Sequence, residues 1–156
     1  MTAVSNGVDL EFFNPNHPRK QQTQRPTLVF TGVMDYWPNV EGVRWFAEQV
    51  FPRIRAVIPN ADFYIVGSRP TTEIQRLGST DGIVITGFVE DVRDYLAIAD
   101  VCVVPLRIAR GIQNKILEAM AAGKPVVTTL QAFEGIKATP GEDLSLIHIS
   151  EPTRPY

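Results

Sequence analysis

The segment ARGIQNKILEAMAAGKPVV, residues 109–127, combines an apolar, alanine-rich composition with charged side chains near its start. Arg110 and Lys115 precede Glu118, and the apolar spacing predicts a helix that begins close to Arg110. The helix dipole disfavours cations at a helix N-terminus. An anion bound between the two cations would remove that conflict, and the free N–H groups of the first turn would also bind it. The segment therefore indicates a phosphate-type anion site.

Two further residues of this segment favour a ligand. Gly111 lets the backbone approach a bound group closely. Glu118 lies beside small alanine side chains, where a carboxylate needs a donor partner, and sugar hydroxyls are suitable donors. The alternative is a solvated helix face on which Lys115 and Glu118 form an i,i+3 ion pair. Spacing alone leaves both interpretations open.

Composition narrows the class of protein. A chain of 156 residues is long enough for one domain with a real core. The net charge of −2 argues against nucleic-acid binding. We expect a cytoplasmic protein, because no apolar run approaches the roughly 18 residues of a membrane span and no signal peptide opens the chain. The single cysteine, Cys102, lies in an apolar run and is predicted to be a buried core thiol. With only His17 and His148, no metal site is expected.

Short apolar runs alternate with longer segments of helical periodicity. Because the runs are apolar throughout, they indicate strands buried on both faces, as in a parallel sheet. The repeated βα pattern predicts an α/β fold with a Rossmann-like doubly wound parallel sheet, truncated at the C-terminus. The predicted strands are residues 27–32, 62–67, 82–87, 101–106 and 124–129.

Helices are predicted between these strands. Residues 39–58 have amphipathic spacing, and Pro52 should kink that helix or restart it. Residues 72–77 form a short helix, and Asp91 can cap one that runs to about Ala99. In such folds ligands bind at the carboxyl ends of the strands. Neither a G-x-G-x-x-G nor a P-loop motif is present, so dinucleotide redox and P-loop functions lose their usual support.

The two ends of the chain differ from its middle. Residues 1–25 are predicted to be a segment and linker that follow a missing N-terminal domain, with an extended piece at residues 10–13. Residues 26–143 form the predicted domain. The stretch SLIHISEPTRPY, residues 145–156, resembles the in-frame translation of a sequencing-library adapter. We therefore expect residues 144–156 to be non-native and outside the fold; a disordered natural tail is the alternative.

Several motifs in order resemble the C-terminal domain of retaining GT-B glycosyltransferases of the group 1 type. They are NGVD, FTGVMDYWPN (residues 30–39), FYIVG, TGFVEDVRDYL, ADVCVVPL and GIQNKILEAMAAGKPVV. The GIQNKILEAMA variant and the DYWPN loop are most similar to sugar transferases of exosortase and exopolysaccharide clusters. The resemblance implies the fold already predicted and a donor site for a nucleotide-diphosphate sugar.

The resemblance also implies roles for individual residues. Glu118 matches the family's second donor-binding glutamate, which holds the ribose hydroxyls, whereas Arg110 stands where the first glutamate is expected. That departure leaves the identity of the sugar open. Arg110 and Lys115 become catalytic candidates that stabilise the leaving diphosphate. The substrate-binding candidates are Gly32 and Met34 in the first motif, Phe88 and Val89 against the nucleobase, and the backbone of Gly111 and Ile112. For Phe88 a core position is the alternative.

The family's mechanism implies no metal and no cofactor. The acceptor, a glycan or a lipid-linked molecule, would bind to the missing N-terminal domain. Any contact with a membrane would also be made by that domain. This chain alone would then be inactive. Two alternatives stay open: a nucleotide-binding module without catalysis, and a nucleotide-sugar epimerase of the same architecture, for which no acid/base residues are apparent.

Overall fold

The computed structural model describes residues 7–20 and 23–147, and within them the apolar runs form a parallel sheet. The strands lie in the order β3-β2-β1-β4-β5-β6, so the first strand is central and the chain winds outward to both sides. This topology confirms the predicted Rossmann-like α/β fold. The strands are β1 (Thr27–Thr31), β2 (Asp62–Val66), β3 (Ile83–Gly87), β4 (Val101–Val104), β5 (Val126–Thr129) and β6 (Ser145–Ile147).

The helices are α1 (Trp37–Trp45), α2 (Phe51–Val57), α3 (Thr72–Leu77), α4 (Arg93–Ile98), α5 (Asn114–Ala121) and α6 (Leu130–Phe133). Helices α1 to α5 lie where the periodicity predicts helices, whereas the short α6 was not predicted. A π-helical turn at Phe46–Val50 joins α1 to α2, and Pro52 lies in the first turn of α2. Proline costs nothing there because the N–H groups of a first turn have no helical partner. The predicted restart at Pro52 is confirmed.

The core lies between the sheet and the helices that cover it, and an aromatic cluster of this core joins β2 to the π-helical turn and α2. Phe63 on β2 packs against Phe46 and Phe51, with ring centroids 4.9 and 5.7 Å apart. All three rings are at most 1% exposed. Cys102 is 3% exposed on β4, which confirms a buried thiol, and burial raises its pKa to about 12. No helix within the described residues is long and apolar enough to cross a bilayer.

Asp91 lies directly before Val92, the N-cap of α4, so it supports the start of this helix without occupying the cap position that was predicted for it. Its carboxylate accepts the backbone N–H of Arg93 at 3.0 Å and also binds the Arg93 guanidinium. The guanidinium hydrogen bond lowers the pKa of Asp91 to about 2, although burial opposes the shift. The helix ends at Ile98, one residue before the predicted end.

The N-terminal segment, residues 7–20, differs from the predicted extended piece and linker. Leu10 to Phe12 form a turn, because the Asp9 carboxylate accepts the N–H groups of Glu11 and Phe12 at 3.0 Å each. The following residues contact α4, where Arg19 Nε donates to the carbonyl of Ala97 at 2.8 Å. This segment is therefore attached to the domain. The remaining predictions for residues 1–6 and 21–22 lie outside the described residues.

The start of the C-terminal stretch belongs to the sheet, whereas we expected residues 144–156 to lie outside the fold. Leu144 is 4% exposed, and β6 pairs in parallel with β5, from Ser145 opposite Val127 to Ile147 opposite Thr129. The edge of β5 has unpaired backbone groups, and a short apolar segment satisfies them whatever its origin. The adapter origin stays a prediction, and residues 148–156 lie outside the described part.

Candidate functional site

An open cleft of about 900 Å³ lies at the carboxyl ends of the strands. This is the edge at which doubly wound sheets bind ligands. Four loops form its walls: those after β1, β2 and β3, and the loop that leads into α5. The lining residues are Thr31, Gly32, Val33, Asp35, Tyr36, Asn39, Val66, Gly67, Ser68, Arg69, Phe88, Val89, Val92, Arg110, Ile112, Gln113, Asn114, Lys115 and Glu118.

The fold brings most of the predicted site residues to this cleft. Those that line it are Gly32, Phe88, Val89, Arg110, Ile112, Lys115 and Glu118. Met34 does not: its side chain is 0% exposed, and its backbone N–H and carbonyl bind Ser68 and Thr71. Met34 therefore supports the loop from inside and has no surface for a ligand. Gly111 is exposed next to the lining residues, with φ of 72°.

The helix that carries the site begins later than the spacing predicts. Gln113 is the N-cap of α5, and Asn114 is its first residue. Gly111 adopts a left-handed backbone conformation that ends the preceding loop. Lys115 is consequently in the first helical turn, but Arg110 lies in the loop before it. The helix-dipole argument applies to Lys115 and not to Arg110.

Lys115 is a partly buried cation, and the described part of the chain offers it no carboxylate partner. Its Nζ donates to Asn39 Oδ1 at 2.9 Å and lies 4.5 Å from the centroid of the Phe30 ring. Burial lowers the pKa of Lys115 to about 8, and the nearby Glu118 offsets part of the shift. Among the described residues no carboxylate oxygen lies within 4.0 Å of Nζ. The i,i+3 ion pair with Glu118 is therefore not formed.

Glu118 lies on the cleft-facing side of α5 and is partly buried. Burial raises the pKa of its carboxyl group, and Lys115 acts in the opposite direction. A partly buried carboxylate is stabilised by hydrogen-bond donors, and hydroxyl groups of a ligand are suitable ones. Its position within the cleft makes such contacts possible.

The loops after β2 and β3 supply the remaining walls. Phe88 is 76% exposed at the mouth of the cleft, which excludes a core position and suits stacking against a flat ring. Arg69 has φ of 55° and pairs with Asp35, Nε to Oδ2 at 3.0 Å, and both residues line the cleft. The carboxyl ends of the strands were predicted to bind ligands, and these include the loop after β2 that carries Arg69, but neither composition nor spacing indicated its ion pair with Asp35.

A second cluster, also missed from the sequence, lies away from the cleft. Potential ligand atoms of His17, Asp91 and Asp94 are within 4.8 Å of one another. These side chains are already paired, since His17 Nε2 lies 2.7 Å from Asp94 Oδ1 and Asp91 binds Arg93. The His17 hydrogen bond is the main reason that the pKa of Asp94 is lowered. The cluster fastens the N-terminal segment to α4.

Solved structures with the same fold include a sucrose-phosphate synthase and several glycosyltransferases. Sucrose-phosphate synthase from Thermosynechococcus elongatus has a TM-score of 0.66 at 22% identity, over 93% of this chain and 39% of that one. Anabaena HepE in complex with UDP-glucose has a TM-score of 0.65 at 18% identity, over 94% and 43%. This chain thus spans about two fifths of those proteins.

A third structure covers a domain of similar extent. The C-terminal domain of a group 1 glycosyl transferase, LpcC from Francisella tularensis, has a TM-score of 0.65 at 19% identity, over 90% of this chain and 80% of that one. No curated protein matches the sequence. The family pattern of the glycosyl transferases group 1 matches residues 25–153, which is most of the chain. The fold, the position of the cleft and this match agree, and the chain belongs to the glycosyl transferases group 1 family.

Proposed function

We propose that the protein binds a nucleotide-diphosphate sugar and serves as the donor domain of a retaining glycosyltransferase in polysaccharide biosynthesis. The observation that carries the proposal is the partly buried Lys115 ammonium, which has no carboxylate partner among the described residues and faces the cleft. A diphosphate is the anion that suits a cation beside the N-terminus of α5. The UDP-glucose in the HepE structure is consistent with this ligand class.

Different residues of the cleft contact the diphosphate, the ribose and the nucleobase of such a donor. Lys115 and Arg110, with the backbone of Gly111 and Ile112, contact the diphosphate. Glu118 accepts hydrogen bonds from the ribose hydroxyls. Phe88 and Val89 lie against the nucleobase, and Gly32 leaves the floor of the cleft free for the ligand.

Catalysis follows from electrostatics at the diphosphate. Negative charge develops on the leaving diphosphate when its bond to the sugar C1 breaks; the oxygen of the acceptor hydroxyl then bonds to C1, and the hydroxyl proton passes to the leaving diphosphate. Cations fixed in place before the reaction stabilise that charge without a metal ion. The acceptor, a glycan or lipid-linked molecule, binds through a further domain. The cytoplasm, where nucleotide sugars are made, is the proposed location.

Calorimetric titration with UDP, GDP and ADP tests the proposal. We expect one of them to bind the wild-type protein, and Lys115→Met and Glu118→Ala to weaken binding at least about tenfold, because each removes a charged partner. Lys137→Met and Glu134→Ala are matched controls, since both residues are exposed and lie outside the cleft. Equal loss in the controls and the site variants, or no nucleotide binding at all, would contradict the proposal.

A nucleotide-binding module without catalysis is the second candidate, because the residues of the cleft would hold a nucleotide whether or not sugar transfer follows. The match to a separate C-terminal domain shows that a unit of this size is one part of a larger protein elsewhere. Transfer assays separate the two functions. Sugar transfer from the bound donor by this chain alone would exclude a purely binding role.

A further inference from the structure

The fold places Asn39 against Lys115, although the two residues are 76 positions apart in the chain. Lys115 Nζ donates to Asn39 Oδ1 at 2.9 Å, and Asn39 Nδ2 donates to the carbonyl of Val33 at 2.9 Å. The Asn39 residue is only 5% exposed. The amide is therefore held on both sides, and its oxygen has one orientation, toward the ammonium.

The surroundings of this pair leave little space for movement. A Cβ atom on Gly32 would lie 2.8 Å from Asn39 Nδ2 and 2.8 Å from Lys115 Nζ. The face of Phe30 lies on another side of the ammonium, with its centroid 4.5 Å away. The direction that stays open to Nζ is the cleft, which Gly32, Asn39 and Lys115 all line.

A neutral acceptor acts differently from a carboxylate at this place. The amide oxygen of Asn39 binds the ammonium but carries no charge that would cancel it. The charge of Lys115 therefore remains available to an anion in the cleft. A carboxylate at position 39 would bind Lys115 more strongly and would repel that anion.

We propose that Asn39 is a positioning residue, which directs the Lys115 ammonium into the cleft and leaves its charge free for the diphosphate of the nucleotide sugar. The identity of the ligand in this inference rests on the proposed function. The arrangement of the two side chains does not depend on it, and the experiment measures the two separately.

The first test is Asn39→Asp, a substitution of almost equal size that adds one negative charge. NMR of labelled lysine side chains gives the pKa of Lys115 directly, and we expect a higher pKa in the variant than in the wild type. Calorimetry with the nucleotide that binds the wild type should show an affinity at least about tenfold lower. Asn60→Asp makes the same chemical change at an exposed site and should alter neither quantity.

Each result has a defined meaning. A merely structural Asn39 predicts wild-type affinity in Asn39→Asp, so that result, or an unchanged pKa of Lys115, overturns the inference. If the wild type binds no nucleotide diphosphate, the proposed function fails, and the pKa of Lys115 still decides whether the two side chains interact. Asn39→Ala supplies a second variant if the aspartate destabilises the fold. Loss of the acceptor should lower the pKa of Lys115 further and also weaken nucleotide binding.

Discussion

Lys115 is a partly buried ammonium group that a bound anion would stabilise. Partial burial disfavours its charged form, and the hydrogen bond to Asn39 together with the Phe30 ring restores only part of what water would supply. The charge is thus held in an environment that an incoming anion improves. The pKa of about 8 is the measurable sign of this condition.

The depressed pKa predicts how donor binding depends on pH. Lys115 is charged in the free protein below about pH 8 and loses its proton above it. A bound diphosphate favours the charged form, so binding above that pH takes up a proton. The affinity for a nucleotide sugar should be level near pH 7 and fall up to about tenfold per unit as the pH rises beyond 8. Calorimetry in buffers of different ionisation enthalpy measures both the affinity and the proton uptake.

The control for this pH dependence is Lys115→Met. That variant should bind weakly with no proton uptake between about pH 7 and 9. An equally steep pH dependence in Lys115→Met would assign the titration to another group.

Single residues also show what the sequence could predict about the site. Arg110, Lys115 and Glu118 were found because they are charged and lie close together in one apolar segment. Asn39 is uncharged, and its partner Lys115 is distant in the sequence. Only the folded structure brings Asn39 and Lys115 together, so sequence spacing could not predict their hydrogen bond. Met34 was predicted to bind the ligand, whereas its side chain is buried. A motif position does not tell whether a side chain points inward or outward.

Among the elements, β1 and β2 lie side by side, and the residues that follow their ends approach each other closely beneath the cleft. A Cβ atom on Gly67 would lie 1.6 Å from the carbonyl oxygen of Gly32. The backbone N–H of Gly32 donates to the carbonyl of Val66 at 3.0 Å. Two glycines therefore allow the strand ends to meet and form the floor of the cleft from backbone alone.

Gly67→Ala should accordingly destabilise the fold. The clash is with backbone, which cannot move aside, and we expect the free energy of unfolding to fall by at least about 2 kcal/mol. Gly87→Ala is the matched comparison, because Gly87 has φ of 67° but nothing within 4 Å of an added Cβ. Backbone strain alone should cost it about 1 kcal/mol. Urea unfolding of the two variants measures both values, and equal losses would show that the close approach contributes nothing.

The elements were predictable to different degrees. Five strands were predicted to within a few residues of their bounds. Short runs that are apolar throughout are typical of buried strands in a soluble domain. The start of α5 was predicted too early, since Arg110 and Gln113 are good helix formers and the left-handed Gly111 was not taken as a break. The π-helical turn before Pro52 was also missed. Pro52 has no N–H and crowds the carbonyl four residues earlier, and the N–H of Phe51 donates to the carbonyl of Phe46, five residues earlier.

At the scale of the whole molecule, the sheet is built outward from β1 and ends at β3 on one side and β6 on the other. The β6 edge comes from the stretch that we expected to lie outside the fold. Its three residues pair with β5, and Leu146 and Ile147 are partly buried. The stability of the domain should therefore depend on these residues.

Truncation after Leu144 tests this dependence while it keeps the buried Leu144 side chain. Loss of strand pairing and of partial apolar burial should lower the free energy of unfolding by about 1–2 kcal/mol. The exposed edge of β5 should also promote self-association, which analytical ultracentrifugation detects. An unchanged unfolding midpoint with a monomeric truncated chain would show that β6 adds nothing to the domain.

The pairing of β6 with β5 has a practical consequence. A strand edge recognises the backbone of its neighbour, so it accepts many short sequences with β-forming side chains. The β6 position is thus a permissive attachment point, at which a reporter peptide could be inserted as a strand. The cleft lies at the carboxyl ends of β1–β3 and before α5, whereas β6 is the outer strand of the sheet. A label at β6 would therefore report whether the domain is folded without occupying the donor site.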